Sequence, residues 1–157
     1  ELDWRENFSA IVDELHPKKM RLVAYWDEIE TAPDKFDFSA LDWQIERLKG
    51  TDTEIILAVG VKMPRWPECH IPSWLTGSAL RGGEFDQELF DYIRAVVRRY
   101  RGETSIVMWQ VENEPLLAFG VCPQRPGRSA SELLSAEADL VRSLDSSHPQ
   151  PLRRGAR

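Results

Sequence analysis

Several things this chain lacks narrow what it can be. It has only two cysteines, Cys69 and Cys122, in 157 residues, too few for a disulfide scaffold. It has no uninterrupted apolar run long enough to cross a bilayer, which argues against a membrane partner. It has no basic excess. Twenty Lys and Arg stand against 26 Asp and Glu, a net charge of -6, and arginine concentrates only in the last few residues. That balance argues against a nucleic-acid partner. There is no HExxH, no glycine-rich phosphate loop and no Ser-His-Asp constellation. Internal repeats and coiled-coil heptads are also absent. The chain opens on Glu1 without a basic-then-apolar leader, so either a leader was removed or the chain is part of something longer.

What is present is a globular composition, 42% apolar, with six tryptophans. Aromatic faces fill cores but also stack on sugar rings, so their placement matters. Phe8, Ile11, Val12 and Leu15 at i, i+3, i+4, i+7 predict a helix over 2–15, stopped by His16-Pro17. Residues 20–26 predict a first strand, followed by the acidic loop DEIETAPDKFD. Ser39 with Asp42 resembles a capping box, opening a short helix that ends at Gly50. Residues 54–61 (EIILAVGV) are nearly all apolar, as expected of a parallel strand covered on both faces. A long proline-interrupted loop leads to a helix over 84–100. A strand over 105–111, a Pro/Gly-rich loop and a helix over about 131–144 complete the pattern.

Strands alternating with helices imply right-handed crossovers and a parallel sheet, hence an α/β fold. About three parallel strands with their helices are present, less than half of an eight-stranded barrel, which typically takes ~250 residues. No strand signal follows the last helix. Residues 149–157 (QPLRRGAR and its preceding proline) read as a non-native-looking or disordered tail. These last residues read either as an ordinary flexible tail or as the sign of a barrel cut off, or its reading frame lost, near Pro149. Open strand edges and an unpaired inner face would favour self-association.

The most informative segment is SIVMWQVENEP, residues 105–115. A run of β-formers ends abruptly in Asn113-Glu114-Pro115, placing a carboxylate beside an amide at a strand end. In parallel barrels such positions project into the mouth, where the chemistry is done. Read blandly, the tripeptide is a polar strand end closed by a breaker. The surrounding residues favour the sharper reading.

The chain resembles the catalytic (β/α)8 TIM barrel of glycoside hydrolase clan A, near the β-galactosidase-like family 42. The matching segments are RLVAYWDEIE (21–30), FDFSALD (36–42), VKMPRWPECHIPSW (61–74) and WQVENEP (109–115). The resemblance implies retaining hydrolysis of β-linked sugars, with a carbohydrate substrate and no cofactor. It implies a partial barrel over residues 1–148 and makes the three strands barrel strands two to four. It makes Glu114 the acid/base and Asn113 the residue that binds the sugar 2-hydroxyl, a contact that strengthens in an oxocarbenium-like transition state. The nucleophilic glutamate of that family ends strand seven and has no counterpart in these residues. Retaining chemistry needs two carboxyl groups roughly 5–5.5 Å apart on opposite sides of the bond, one protonated and one ionised. The chain alone is therefore expected to be inactive, and a non-catalytic carbohydrate-binding protein or degenerate remnant is the rival reading.

Glu112 lies two residues before Glu114, so strand alternation would point it to the same face, deeper, in a supporting role. Arg21 begins the first strand, and its counterpart in many clan members points into the barrel. Trp26, Trp66, Trp74 and Trp109 fall at or beyond strand ends, with Trp26 and Trp66 favoured as substrate platforms. Trp109 alternates away from Glu114 and should pack against the outer helices. Lys62, Arg65, Glu68 and His70 line the loop after the middle strand, and His70 is favoured for gripping sugar hydroxyls. Cys69 and Cys122 are expected to be free thiols. A disulfide between them would tie two loops around the site, whereas a metal site with His70 is only weakly signalled.

Overall fold

The structure is a computed structural model that describes residues 3–75, 83–122 and 129–148. The expected tail at 149–157 lies outside the described residues. Asp3 caps the first helix, α1 (Trp4–Leu15), its side chain accepting from Arg5 N–H; Phe8 and Val12 are buried beneath it. His16 ends α1 in the left-handed region, φ 45°, and its N–H donates to the carbonyl of Val12. The chain then enters β1 (Lys19–Val23), two to three residues shorter than the apolar run suggests. Ala24 and Trp26 are fully buried although no longer in strand. The apolar signal there reports core packing rather than sheet.

The acidic segment after β1 is ordered, as a short helix α2 (Trp26–Ile29) and a hairpin of β2 (Glu30–Ala32) with β3 (Lys35–Phe36). Asp34 makes its turn at φ 59°. Helix α3 (Ser39–Leu48) follows, with Leu41, Ile45 and Leu48 buried. The expected Ser39–Asp42 capping box does not form. Asp37 accepts from Ser39 N–H instead, and Asp42 is drawn to Arg99 and Tyr100 on another helix.

The middle strand, β4 (Glu54–Val59), pairs in parallel with β1 on one side and with β5 (Ile106–Val111) on the other. The order β1-β4-β5 follows the chain. Ile55, Leu57, Ala58 and Val59 of β4 are fully buried, as a strand covered on both faces requires. Helix α4 (Gly83–Tyr100) provides the cover from seven buried side chains, including Phe85, Tyr92 and Ile93. Helix α5 (Ala130–Leu144) packs beside α4 and starts at a true capping box, Ser129 with Glu132.

Three parallel strands, each followed by helix, make a segment of a TIM barrel. Among the described residues β1 and β5 each have one edge without a strand partner. A cleft of about 640 Å³, lined in part by Trp4, Phe8, Met20, Leu22 and Leu41, adjoins β1. No described helix is long and apolar enough to cross a membrane.

Candidate active site

β5 runs out at Val111, and the backbone then turns over. Glu112 still donates its N–H to the Val59 carbonyl at 3.0 Å, but its φ is 61° and that of Glu114 is 49°. Two left-handed non-glycine residues, each costing roughly 1–2 kcal/mol, flank Asn113. They also correct the alternation argument. Glu112 is buried while Glu114 is exposed, because the backbone at residue 112 is no longer extended.

The Glu112 side chain braces the neighbouring strand end, as a supporting role requires. Its Oε1 accepts from Val61 N–H at 2.8 Å and its Oε2 from Lys62 N–H at 2.6 Å. Gly60 makes room for it: a Cβ there would stand 2.7 Å from Oε1, and φ is +139°. Only glycine meets both demands.

Asn113 is held from two sides. Its N–H donates to the Lys62 carbonyl at 2.7 Å, and its Oδ1 accepts from Arg21 Nη1 at 3.3 Å. The same Arg21 nitrogen lies 3.5 Å from Gln110 Oε1. Arg21, Asn113 and the start of the Glu114 turn are thus brought together at one end of the sheet. Lys62 adds its ammonium, which donates to the Glu114 carbonyl at 3.1 Å and to the Leu117 carbonyl.

The loops beyond β4 and β5 are joined covalently. Cys69 and Cys122 form a disulfide with Cα atoms 5.2 Å apart, so the expectation of free thiols is corrected and neither sulfur is available as a thiolate ligand. Val121 N–H also donates to the Pro67 carbonyl at 2.9 Å. Trp66 lies outside this tie at 64% exposure, its ring 6.3 Å from that of exposed Phe119.

Two expected substrate contacts are spoken for elsewhere. Trp26 is 0% exposed, stacked on Tyr92 and edge-on to Phe85, so it has no free face for a sugar. Its indole N–H donates to Glu30 Oε2 at 2.6 Å, and Glu30 also accepts from Asp34 N–H at 3.1 Å. Burial raises the Glu30 carboxyl above the usual glutamate range despite those two donors. His70 is 2% exposed, with Nδ1 3.3 Å from Asp27 Oδ2 and Nε2 3.2 Å from the Arg65 carbonyl. Both ring nitrogens are engaged within the protein, which makes it a strut between two loops. Arg65 closes that cluster, paired with Glu28 at 2.6 Å and lying 4.4 Å over the Tyr25 ring. Trp109 packs as expected, fully buried, donating to Asp145 Oδ2 beyond α5 at 2.9 Å.

The structure is thus a parallel β/α segment of the TIM-barrel type, with Arg21 and Asn113 in contact and Glu114 next in the chain. Residues 18–127 match the model of glycosyl hydrolase family 10, and the chain belongs to that family. Solved structures extend the likeness across clan A. The GH5_18 protein of Streptomyces cattleya, in complex with GlcNAc, aligns over 96% of this chain at 12% identity and a TM-score of 0.71. Xylanase 10B of Thermotoga petrophila RKU-1, in complex with xylobiose, aligns over 83% at 18% identity and 0.61. A β-galactosidase from the Antarctic haloarchaeon Halorubrum lacusprofundi aligns over 94% at 16% identity and 0.63. The chain spans 38%, 39% and 33% of those proteins. At such identities the likeness is one of fold. No curated protein sequence matches the chain at a significant level.

Proposed function

We propose that this chain carries the acid/base half of a retaining glycosidase acting on β-linked sugars, of β-galactosidase-like specificity. Glu114 is the proton donor to the leaving oxygen, and Asn113 binds the sugar 2-hydroxyl. The observation that carries this reading is the Arg21 contact to Asn113 Oδ1. With the amide oxygen turned to the guanidinium, the Asn113 amide nitrogen is left to donate, which is what an acceptor on the sugar ring needs. Glu114 is exposed at the strand end, where a leaving group can reach it. Trp66 is the remaining aromatic platform, with Arg21 fixing the amide beneath the sugar.

The attacking carboxylate has to stand across the sugar from Glu114. Of the described acids at this end, Glu112 is bound to backbone N–H groups, Asp27 to His70 and Glu28 to Arg65, Glu30 is buried under Trp26, and Glu68 is half-buried with its stem against Gly120. That engagement favours a second reading for the chain by itself: it binds carbohydrate without turning it over. Self-association through the free edges of β1 and β5 is the third element of the proposal.

The test is hydrolysis of 2,4-dinitrophenyl and methyl β-glycosides of galactose, glucose, mannose and xylose, beside binding of the methyl β-glycosides. A sugar that binds wild type and is hydrolysed, with Glu114→Gln slowing its methyl glycoside far more than its 2,4-dinitrophenyl glycoside, supports the catalytic reading. Binding without hydrolysis supports the second. Binding and hydrolysis both indifferent to Glu114→Gln sink the assignment of Glu114.

A further inference from the structure

We propose that Lys62 is a positioning residue for the acid/base: it clamps the turn on which Glu114 is presented. The inference rests on reading Glu114 as the proton donor. Lys62 sits in the loop after β4 and is only 6% exposed. In sequence it looks like a loop cation free to grip hydroxyls, yet its ammonium is directed at the protein backbone.

Four contacts converge from this one residue on the 112–117 turn. Its N–H donates to Glu112 Oε2 at 2.6 Å, and its carbonyl accepts from Asn113 N–H at 2.7 Å. Its ammonium donates to the carbonyls of Glu114, at 3.1 Å, and of Leu117. Leu117 N–H in turn donates to the Glu114 carbonyl at 3.0 Å, closing the turn on itself. The contacts bracket Glu114 on both sides in sequence.

The chemistry explains why a lysine is suited to this place. A left-handed residue is held only when its surroundings over-determine it. Glu114 is exposed and carries its carboxyl on a flexible stem, so the backbone has to set its direction. Two carbonyls of one turn converge, and a cation with several donors on a long apolar stem reaches both. A buried ammonium must be hydrogen-bonded, and these carbonyls meet that need. Lys62 and Glu112 line the same cavity, of about 430 Å³, which also meets Leu133, Phe119 and the disulfide.

The experiment is amide hydrogen exchange of the full chain, read residue by residue, in wild type, Lys62→Met and Lys62→Arg. Methionine keeps an unbranched stem and removes the donors. Protection at Leu117 is expected to fall at least about tenfold in the methionine variant, the scale of one charge-assisted hydrogen bond. Protection at Ala24 and Ile55, whose amides pair within the sheet, stays unchanged. Arginine, which keeps charge and donors, holds Leu117 within about threefold of wild type. Unchanged Leu117 protection in the methionine variant overturns the clamp. Equal losses at Ala24 and Ile55 do so as well, since they make Lys62 a general packing residue. A loss with arginine as large as with methionine also removes it.

Where hydrolysis is measurable, Lys62→Met slows methyl glycosides far more than 2,4-dinitrophenyl glycosides, whose leaving group needs little acid. Equal slowing of both counts against positioning. If instead Glu114→Gln changes neither binding nor hydrolysis, the glycosidase reading falls while the exchange result on Lys62 stands.

Discussion

Arg21 Nη1 stands 3.3 Å from Oδ1 of Asn113, a residue 92 positions later in the chain. The first strand thereby reaches over the middle strand to orient the amide just past the end of the third. Replacing Arg21 by Met should leave the fold almost untouched, because the guanidinium is exposed. The expected result is a melting temperature within about 2 °C of wild type, since exposed substitutions change stability little. Affinity for a bound methyl β-glycoside should fall about tenfold, the scale of one charge-assisted hydrogen bond. Calorimetric titration beside thermal melting separates the two effects.

Trp26 and Trp66 should part company on truncation. Trp26→Ala removes a fully buried ring and its bond to Glu30, and should cost about 3–5 kcal/mol in denaturant unfolding. Trp66→Ala, at a site 64% exposed, should stay within about 0.5 kcal/mol while weakening glycoside binding. A large stability loss at Trp66 would place it in packing and not at a platform.

The Cys69–Cys122 bond closes a sequence separation of 53 residues. The chain-entropy model gives about 4 kcal/mol of stabilisation for a loop of that length. Thiol titration of unfolded, unreduced protein should find no free thiol. The Cys69→Ser/Cys122→Ser double variant should show a correspondingly lower denaturant midpoint.

Asp145 makes the fold sensitive to acid. Burial alone would raise its carboxyl, but donors from Ser147, Trp109 and His148 outweigh burial and hold it well below the usual aspartate range. A depressed folded value means that the unfolded chain binds the proton first. The stabilisation is therefore present above the unfolded value near 3.8 and is lost as pH falls through the folded one. Asp145→Asn should cost on the order of 2–3 kcal/mol at neutral pH and flatten the acid limb of the stability curve. Urea titrations across the acid range would show it. An acid limb as steep as that of wild type would assign the sensitivity to another group.

Much of the scaffold was legible because apolar runs and periodicity report burial directly. The β4 segment reads as a covered strand, and the 3.6-residue stripe of α4 gives its buried face. The same signal misled at Ala24 and Trp26, where burial continues after the strand has ended. Glu112 sits deeper than Glu114 and braces the neighbouring strand end, as expected, but the shared face does not follow, because alternation holds only while the backbone stays extended and local sequence does not announce two left-handed residues around Asn113. The β2–β3 hairpin has a trace in the sequence, Pro33-Asp34 being a turn pair. Ser129 and Glu132 likewise spell a capping box that the glycine- and proline-rich surroundings obscured. The cysteine pairing and the Lys62 contacts depend on how two distant loops meet, which no spacing encodes. Within the candidate site, Arg21, Asn113 and Glu114 are the expected residues that the fold gathers at one strand end.

The disulfide also changes the covalent topology of the molecule. Residues 69–122 become a closed ring of chain with α4, β5 and Glu114 on its circumference, while Trp66 sits three residues outside. A single backbone cut anywhere inside that ring leaves one connected molecule. Proteolysis there would be silent on a non-reducing gel, and two pieces would separate only after a reductant opens the ring.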